Sequence, residues 1–295
     1  EQLKMHDQAA QKMKNYRQKL GSLSLETIEA KTIIKNRIVI DIIEEKKNRA
    51  KDIIENLMIA ANRASTKFLH AHAFPAFKRV VRVPKRWDKI VEIAVKLGKN
   101  LPDEPDSKAL ELFLIEEKKR DPVQFPDLSL SIIKLLGRGE YVVEYPGEDA
   151  PGHFGLAIRN YSHSTAPNRR YPDLITQRML RAILENQENP YSKKELERLA
   201  ERCTLKEADA DKVARQMQKS AGAILLSQKI GQTFDGIITG VTKDGTWLRI
   251  FNPPVDGKLI KGKTDLDVGD HVKVKLVSTD VQRGFIDFSL VTGQS

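Results

Sequence analysis

At residue 230 the hydrophobic period of this chain changes. Up to that point apolar residues recur mostly every three or four positions, while beyond it they fall into short runs separated by turn residues. A helical stripe and an alternating strand cannot share one register, so the break predicts two domains. These are an α+β portion over residues 1–229 and a small all-β portion over residues 230–295. Five runs, at residues 234–241, 246–251, 257–260, 271–278 and 285–290, predict five strands closing a small barrel, with Asp244-Gly245 as a hairpin turn. With 295 residues and 40% of them hydrophobic, the chain has enough apolar material for both cores.

In the first portion, residues 1–20 carry Met5, Ala9, Met13, Tyr16 and Leu20 near one helical stripe, and Gly21 is a stop. Short strands are expected at residues 23–26 and 32–34, the second turning at Lys35-Asn36 onto residues 37–42. Residues 46–70 read as a long amphipathic helix with the stripe Ile53, Ile54, Leu57, Met58, Ala61, Ala64 and Phe68. A basic strand is expected at residues 76–83, helices at 88–97, 107–118 and 128–136, and strands at 140–145 and 155–159. Ser192-x-x-Glu195 and Thr204-x-x-Glu207 are both capping-box signatures, so two helices are expected to start there, the second reaching about residue 229.

The formal net charge is +10, from 50 basic and 40 acidic residues, which favours an anionic partner and a nucleic acid over a membrane. No long uncharged apolar run is present and no signal peptide is visible, so a membrane partner is not expected. The single cysteine, Cys203, permits no internal disulfide and fits a reducing compartment, the cytoplasm or an organellar matrix. It reads as a small buried hydrophobe.

The densest chemistry lies in residues 161–174. Ser162, Ser164 and Thr165 supply hydroxyls, Pro167 biases Ala166 away from helix, and Arg169 and Arg170 follow side by side. A helix is expected from Pro172 onward, with Leu174, Ile175, Met179, Leu180 and Ile183 at helical spacing. Guanidinium groups on a tight loop at a helix N-terminus suit a phosphate or another planar anion. The residue types equally allow a structural arginine that ties loop carbonyls together, and on their own they leave that choice open.

The order Tyr161-x-His163-x-Thr165-x-Pro167-x-Arg169-Arg170-Tyr171-Pro172-Asp173 resembles the arginine motif of the ribonuclease II / ribonuclease R (RNB) family of processive 3′→5′ exoribonucleases. Pro151-Gly152-His153-Phe154-Gly155-Leu156, Ser22-Leu23-Ser24-Leu25-Glu26, Glu55-Asn56-Leu57-Met58-Ile59-Ala60-Ala61-Asn62 and Pro75-Ala76 with Arg79 are similar to segments of that family in the same order. In the all-β portion, Gly231-x-x-Phe234-x-Gly236, Asp244-Gly245-x-Trp247, Val255-Asp256-Gly257 and Val268-Gly269-Asp270-x-Val272 resemble the S-one-type RNA-binding domain, an OB fold that closes the chain in the same enzymes.

The resemblance implies the C-terminal part of an RNB catalytic domain, helices around a mixed sheet, followed by a five-stranded OB barrel. It implies hydrolysis of single-stranded RNA from the 3′ end to nucleoside monophosphates. It places Arg169 at the scissile phosphate, and His163, Thr165, Arg170, Glu55, Leu25 and Arg79 among the residues along the RNA. Arg170, Tyr171 and Asp173 also read as supports, with Asp173 serving the helix N-terminus. His163 allows a satisfied loop histidine, and Glu55 a surface glutamate. Leu25 stands where the family often has a phenylalanine, so base stacking there is weakened. In the barrel, Phe234 and Trp247 fall where stacking aromatics are expected, ringed by Lys243, Arg249, Lys258, Lys261 and Lys263. Phe234 reads equally as core.

The family's Mg²⁺ is held by closely spaced aspartates. Nothing in this sequence replaces them. Asp209-x-Asp211 falls on a predicted helix, Asp265-x-Asp267 on a polar turn, residues 103–106 on a Pro-interrupted loop, and His70-x-His72 lacks partners at ligand spacing. The Mg²⁺ ligands are therefore expected upstream of this chain, in the N-terminal part of the same protein or in a separate chain carrying the aspartate cluster. This chain alone is expected to be inactive. A catalytically inactive RNA-binding relative and a basic scaffold are the competing classes.

Overall fold

The computed structural model describes residues 1–26, 29–45, 48–122, 124–243, 245–261 and 265–291. The chain divides into two compact units, one of Glu1–Ser24, Lys47–Lys119 and Leu135–Ala208, the other of Leu25–Lys46, Arg120–Lys134 and Asp209–Ser295. Sequence texture changes at residue 230, but residues 25–46 and 120–134 cluster with the barrel in space. The α+β class and the closed barrel are both present.

In the first unit α1 (Gln2–Lys19) lies against α2 (Arg49–Ala71). The apolar stripes expected on both helices are not their buried faces. Met5 and Tyr16 of α1 are exposed, as is Ile54 of α2 at 67%. The side turned inward on α1 carries Ala10 and Arg17, and that on α2 carries Asn56, Ile59, Asn62, Thr66 and Leu69. The physical reason is pairing: the Arg17 guanidinium donates to Asn56 Oδ1 at 2.6 Å and to Ser22 Oγ at 3.4 Å, so both of its terminal nitrogens enter the interior with a partner. Gly21 ends α1 with φ +95°, and a Cβ there would lie 2.9 Å from the Lys108 backbone.

β3 (Ala76–Val80) pairs antiparallel with β4 (Glu140–Glu144), packed against α2, α6 (Tyr171–Leu184) and α7 (Lys193–Leu226) around Leu69, Phe77, Tyr141, Ile175, Met179 and Leu196. Lys78, 1% exposed, donates to Glu144 Oε1 at 3.0 Å, and His70 Nε2 approaches the other carboxylate oxygen at 2.7 Å. A buried lysine persists only with such a partner. Cys203 is buried in this core, and burial raises its thiol pKa. Helices α3 (Trp87–Lys96) and α4 (Ser107–Arg120) follow β3 as expected.

Three expectations are corrected. Residues 155–159 form no strand: Phe154–Leu156 is a turn of 3-10 helix, after which the chain folds back so that His153 N–H donates to the Ile158 carbonyl at 2.7 Å. Residues 23–26 form no strand either, because Leu23 N–H goes to the Gly155 carbonyl and Ser24 N–H to the Glu111 carboxylate at 2.6 Å. Burial raises the pKa of that glutamate, and the Ser24 bonds oppose the rise. Finally, α7 is one helix. Ser192 caps its start through a 3.3 Å bond to Glu195 N–H, whereas Thr204 lies inside it, donating back to the Ala200 carbonyl at 2.9 Å and accepting the Tyr141 N–H at 2.9 Å. A capping-box pattern fails when the hydroxyl serves a neighbouring strand.

In the second unit β1 (Glu29–Lys35) and β2 (Ile38–Glu45) form an antiparallel hairpin turning at Asn36 and Arg37, both with positive φ, the conformation of a tight hairpin turn. The barrel strands are β5 (Thr233–Thr242), β6 (Gly245–Ile250), β7 (Val255–Lys261), β8 (His271–Asp280) and β9 (Phe285–Leu290). They close in the order β5-β6-β7-β9-β8, with β7–β9 parallel and β8 returning to β5. Ile238, Leu248, Ile250, Val274, Leu276 and Phe288 fill the interior, joined by Ala223 and Leu226 of α7. Gly257 is required there, because a Cβ would stand 2.4 Å from the Phe288 ring. Asp244 and Lys263 lie outside the described residues.

Candidate nucleic-acid interface

The arginine loop is held from three sides. Its first strand-like residues are stitched to β3: Arg79 N–H donates to the Tyr161 carbonyl at 2.8 Å, and Lys78 and Ser162 form an isolated bridge. Next, α2 takes hold of Ser164. Asn62, fully buried, accepts from Ser164 N–H at 2.9 Å and Oγ–H at 3.0 Å, and its amide donates to the Tyr161 hydroxyl at 3.3 Å. Ser65 and Ser164 hydroxyls lie 2.9 Å apart. From the far side α6 contributes Gln177, whose Nε2 donates to the Ser164 carbonyl at 2.7 Å. The buried Asp173 accepts both Ala166 N–H and Arg170 Nη2 at 2.8 Å. The N–H groups of Arg169 and Arg170 fold back on the Ala166 carbonyl at 3.2 and 2.9 Å, closing the turn into α6.

The two arginines take different places. Arg170 is half-buried and committed to Asp173. Arg169 is exposed, and among the described residues its side chain makes no hydrogen bond or ion pair. Thr165 is exposed beside it. A guanidinium that stays ionised, sits on a pinned turn and has no internal partner is available to a phosphate.

His163 points inward. Its Nδ1 shares a 2.9 Å hydrogen bond with the Tyr141 hydroxyl, and its ring stands edge-on to Tyr161 at 5.7 Å. Burial, and next the Arg170 charge, push its pKa down to about 3. His153, edge-on to Tyr161 from another side, is pushed down to about 4 by burial and then by Arg79. Both imidazoles are therefore neutral at ordinary pH. Arg79 pairs with Glu207 at 2.6 Å and lies 4.9 Å over the Tyr141 ring. Glu55 is half-buried beside the Arg17 charge. Leu25 is half-buried in the extended stretch that forms no strand.

On the barrel, Trp247 and Lys258 face each other across β6 and β7, with the Lys258 ammonium 5.7 Å over the indole ring. Arg249, opposite Asp256, donates to it through Nε at 2.8 Å and Nη2 at 3.2 Å, which spends its fork internally. Beside it, Pro126, Asp127 and Leu130 of α5 (Phe125–Leu136) face Arg249, Ile250, Phe251 and Pro254 across a narrow crevice. The Asp127 carboxyl pKa is raised by burial against the opposing charges of His271 and Arg249. Phe234 packs on the barrel interior, edge-on to Phe288 at 6.3 Å.

Among the described residues no three His, Cys, Asp or Glu side chains converge. No described helix is long and apolar enough to cross a membrane. Sequence reading missed Asn62 as the residue that holds the loop. Its signal was available: an amide recurring with Ile59, Thr66 and Leu69 at helical spacing is a polar group placed on the inward face.

An arginine loop feeding a buried helix, in an α+β unit followed by a closed OB barrel, defines a protein of the ribonuclease II kind. The family model of the RNB domain matches residues 1–186, and that of the RNase II-type exonuclease C-terminal S1 domain matches residues 232–291. The chain belongs to the RNB family. It is 28% identical to Ribonuclease R 1 of Lactococcus lactis over 94% of its own length and 37% of that protein's. It is 26% identical to Ribonuclease R of Escherichia coli over 94% of its length and 38% of that protein's. The chain thus spans about two-fifths of the curated relatives it matches. Mycoplasma genitalium RNase R, solved in complex with ribose methylated single-stranded RNA, superposes with a TM-score of 0.82 at 24% identity, covering 98% of this chain and 49% of that one.

Proposed function

We propose that this chain is the C-terminal part of a hydrolytic 3′→5′ exoribonuclease that acts on single-stranded RNA and releases nucleoside monophosphates. The observation that carries the reading is Arg169, exposed and unpaired among the described residues on a turn whose Ser164 and Ala166 N–H groups are held by Asn62 and Asp173. Charge gathers on the non-bridging oxygens as the phosphodiester is attacked, and a preorganised guanidinium stabilises it without reorganising. Membership of the RNB family and the structure of a relative bound to single-stranded RNA support the substrate class.

In this reading Mg²⁺ would supply the activated water, and its ligands would come from outside residues 1–295, a view supported by the lack of a convergent set of three ligands among the described residues. This chain's own part is to bind and orient phosphate through Arg169 and to engage RNA on the barrel through Trp247 and Lys258. By itself it is inactive. A cytoplasmic or organellar-matrix setting belongs to the same reading, supported by the single, buried cysteine.

Incubation of the full-length protein, and of this chain alone, with end-labelled single-stranded RNA and Mg²⁺ or Mn²⁺ tests it. Laddering from the 3′ end by the full-length protein, with retardation but no products from the chain alone, is the expected result. Retardation without products from both makes the protein an RNA binder. No retardation by either at low salt, where phosphate contacts are strongest, removes RNA from the account.

A further inference from the structure

Ser164 has every polar atom engaged: its N–H and hydroxyl on Asn62, its hydroxyl also on Ser65, and its carbonyl on Gln177. Such closure is unusual for a loop residue, because loop backbone groups ordinarily turn to water. Two residues further on, Ala166 N–H is fixed by Asp173, and the Ala166 carbonyl receives the N–H groups of Arg169 and Arg170. A continuous chain of bonds therefore runs from the interior of α2 to the backbone of Arg169. Asn62 is its first member. It is the only contact in that chain made through a side chain that is itself fully buried on α2, so its position is set by the helix and not by the loop.

We propose that Asn62 is a positioning residue for Arg169, setting where the guanidinium stands relative to the RNA phosphate through the backbone of Ser164 and Ala166. This rests on the reading of Arg169 as the phosphate-contacting group. Asn62 itself touches no substrate. An amide suits the task because its oxygen accepts two donors from one residue while its nitrogen holds the Tyr161 hydroxyl at 3.3 Å, fixing the rotamer. Misplacing a catalytic group by about 1 Å costs on the order of a hundredfold in rate. Loss of the clamp therefore appears in turnover and spares RNA affinity, which draws on contacts spread over the whole chain.

The test is a double-mutant cycle in the full-length protein, read by single-turnover hydrolysis of a 5′-labelled oligoribonucleotide at saturating concentration and by equilibrium RNA binding. Asn62→Ala is expected to lower the rate about 10- to 100-fold and RNA affinity less than threefold. In an Arg169→Ala background the same change is expected to cost less than threefold. Asn62→Asp, which can accept from Ser164 N–H, Ser164 Oγ–H and the Tyr161 hydroxyl, is expected to restore most of the rate. Gln177→Ala, at an exposed position, removes one bond of the clamp without disturbing the interior and is expected to lower the rate about three- to tenfold. Additive losses in the cycle, or equal losses of rate and affinity, overturn the positioning role. If Arg169→Ala alone changes nothing, the functional reading falls separately. Amide hydrogen exchange then decides the clamp. At least tenfold faster exchange over residues 164–170 in Asn62→Ala, with exchange in the barrel strands unchanged, upholds it, and unchanged exchange at Ser164 and Ala166 refutes it.

Discussion

The arginine loop and the outer face of β6–β7 hold similar side chains and use them in opposite ways. On the loop, a buried amide and one carboxylate hold the Ser164 and Ala166 N–H groups and Arg170 Nη2, and Arg169 is left over. On the barrel, Asp256 takes up the fork of Arg249, and α5 stands beside it, so the sharpest cation of that face is a structural one. What remains there is a ring with an ammonium above it, Trp247 and Lys258. A cation serves a ligand only when the fold has something else to hold the frame. Amides do so at the loop, and on the barrel the cation itself is spent.

That contrast can be broken by substitution. The largest effect is expected at the free arginine: Arg169→Ala in the full-length protein lowers single-turnover hydrolysis by about 10²–10³-fold, in line with removal of one preorganised donor to a developing anion, and affects RNA affinity little. Equal losses in rate and affinity would show a docking contact. At the barrel Trp247→Ala is expected to weaken single-stranded RNA binding by about 1–3 kcal/mol, the worth of a stacked base, as measured by fluorescence anisotropy. Unchanged affinity would remove the barrel's stacking role.

Acid sharpens the same comparison, because the loop is backed by two neutral histidines. His163 and His153 have folded pKa values of about 3 and about 4, below the ordinary 6.5. Between those values the unfolded chain binds protons that the folded one refuses. Stability is thus full above about pH 6.5 and falls as pH drops toward 4, with a slope of up to about 1.4 kcal/mol per pH unit for each histidine. Urea titrations at several pH values check this, and His163→Gln is expected to flatten the slope. A slope that does not change on that substitution would mean that His163 is not held neutral in the fold.

The smallest effect is expected where the cation is already spent. Arg249→Gln changes RNA affinity less than threefold and leaves its salt dependence unaltered, whereas Lys258→Ala reduces the salt slope by about one. A large affinity loss at Arg249 with an unchanged effect at Lys258 would invert the account of the barrel face.

Much of this was legible in the sequence where local chemistry and fold agree. The five barrel strands, the β1–β2 hairpin (its turn at Asn36-Arg37, one residue beyond the expected Lys35-Asn36) and the helix after Pro172 follow from period and turn residues. The arginine motif stood out as a cluster of residue types. What was not legible depends on partners distant in the chain. Thr204 looks like a cap until β4 arrives to use its hydroxyl, and residues 23–26 look like a strand until Glu111 and Gly155 take their N–H groups. The apolar stripe of α2 misleads because the buried face is chosen by paired amides, Asn56 with Arg17 and Asn62 with Ser164, about 40 and 100 residues away, a spacing no local pattern encodes. Which of two adjacent arginines is free was decided by Asp173, three residues beyond Arg170.

The most direct measurement is a structure of the full-length protein bound to a single-stranded oligoribonucleotide with hydrolysis-resistant linkages. The account predicts the Arg169 guanidinium within about 2.7–3.1 Å of a non-bridging phosphate oxygen, with the Asn62–Ser164 and Asp173–Ala166 bonds intact. RNA threaded elsewhere while Arg169 remains in solvent, or Arg170 released from Asp173 to take the phosphate in its place, would contradict it.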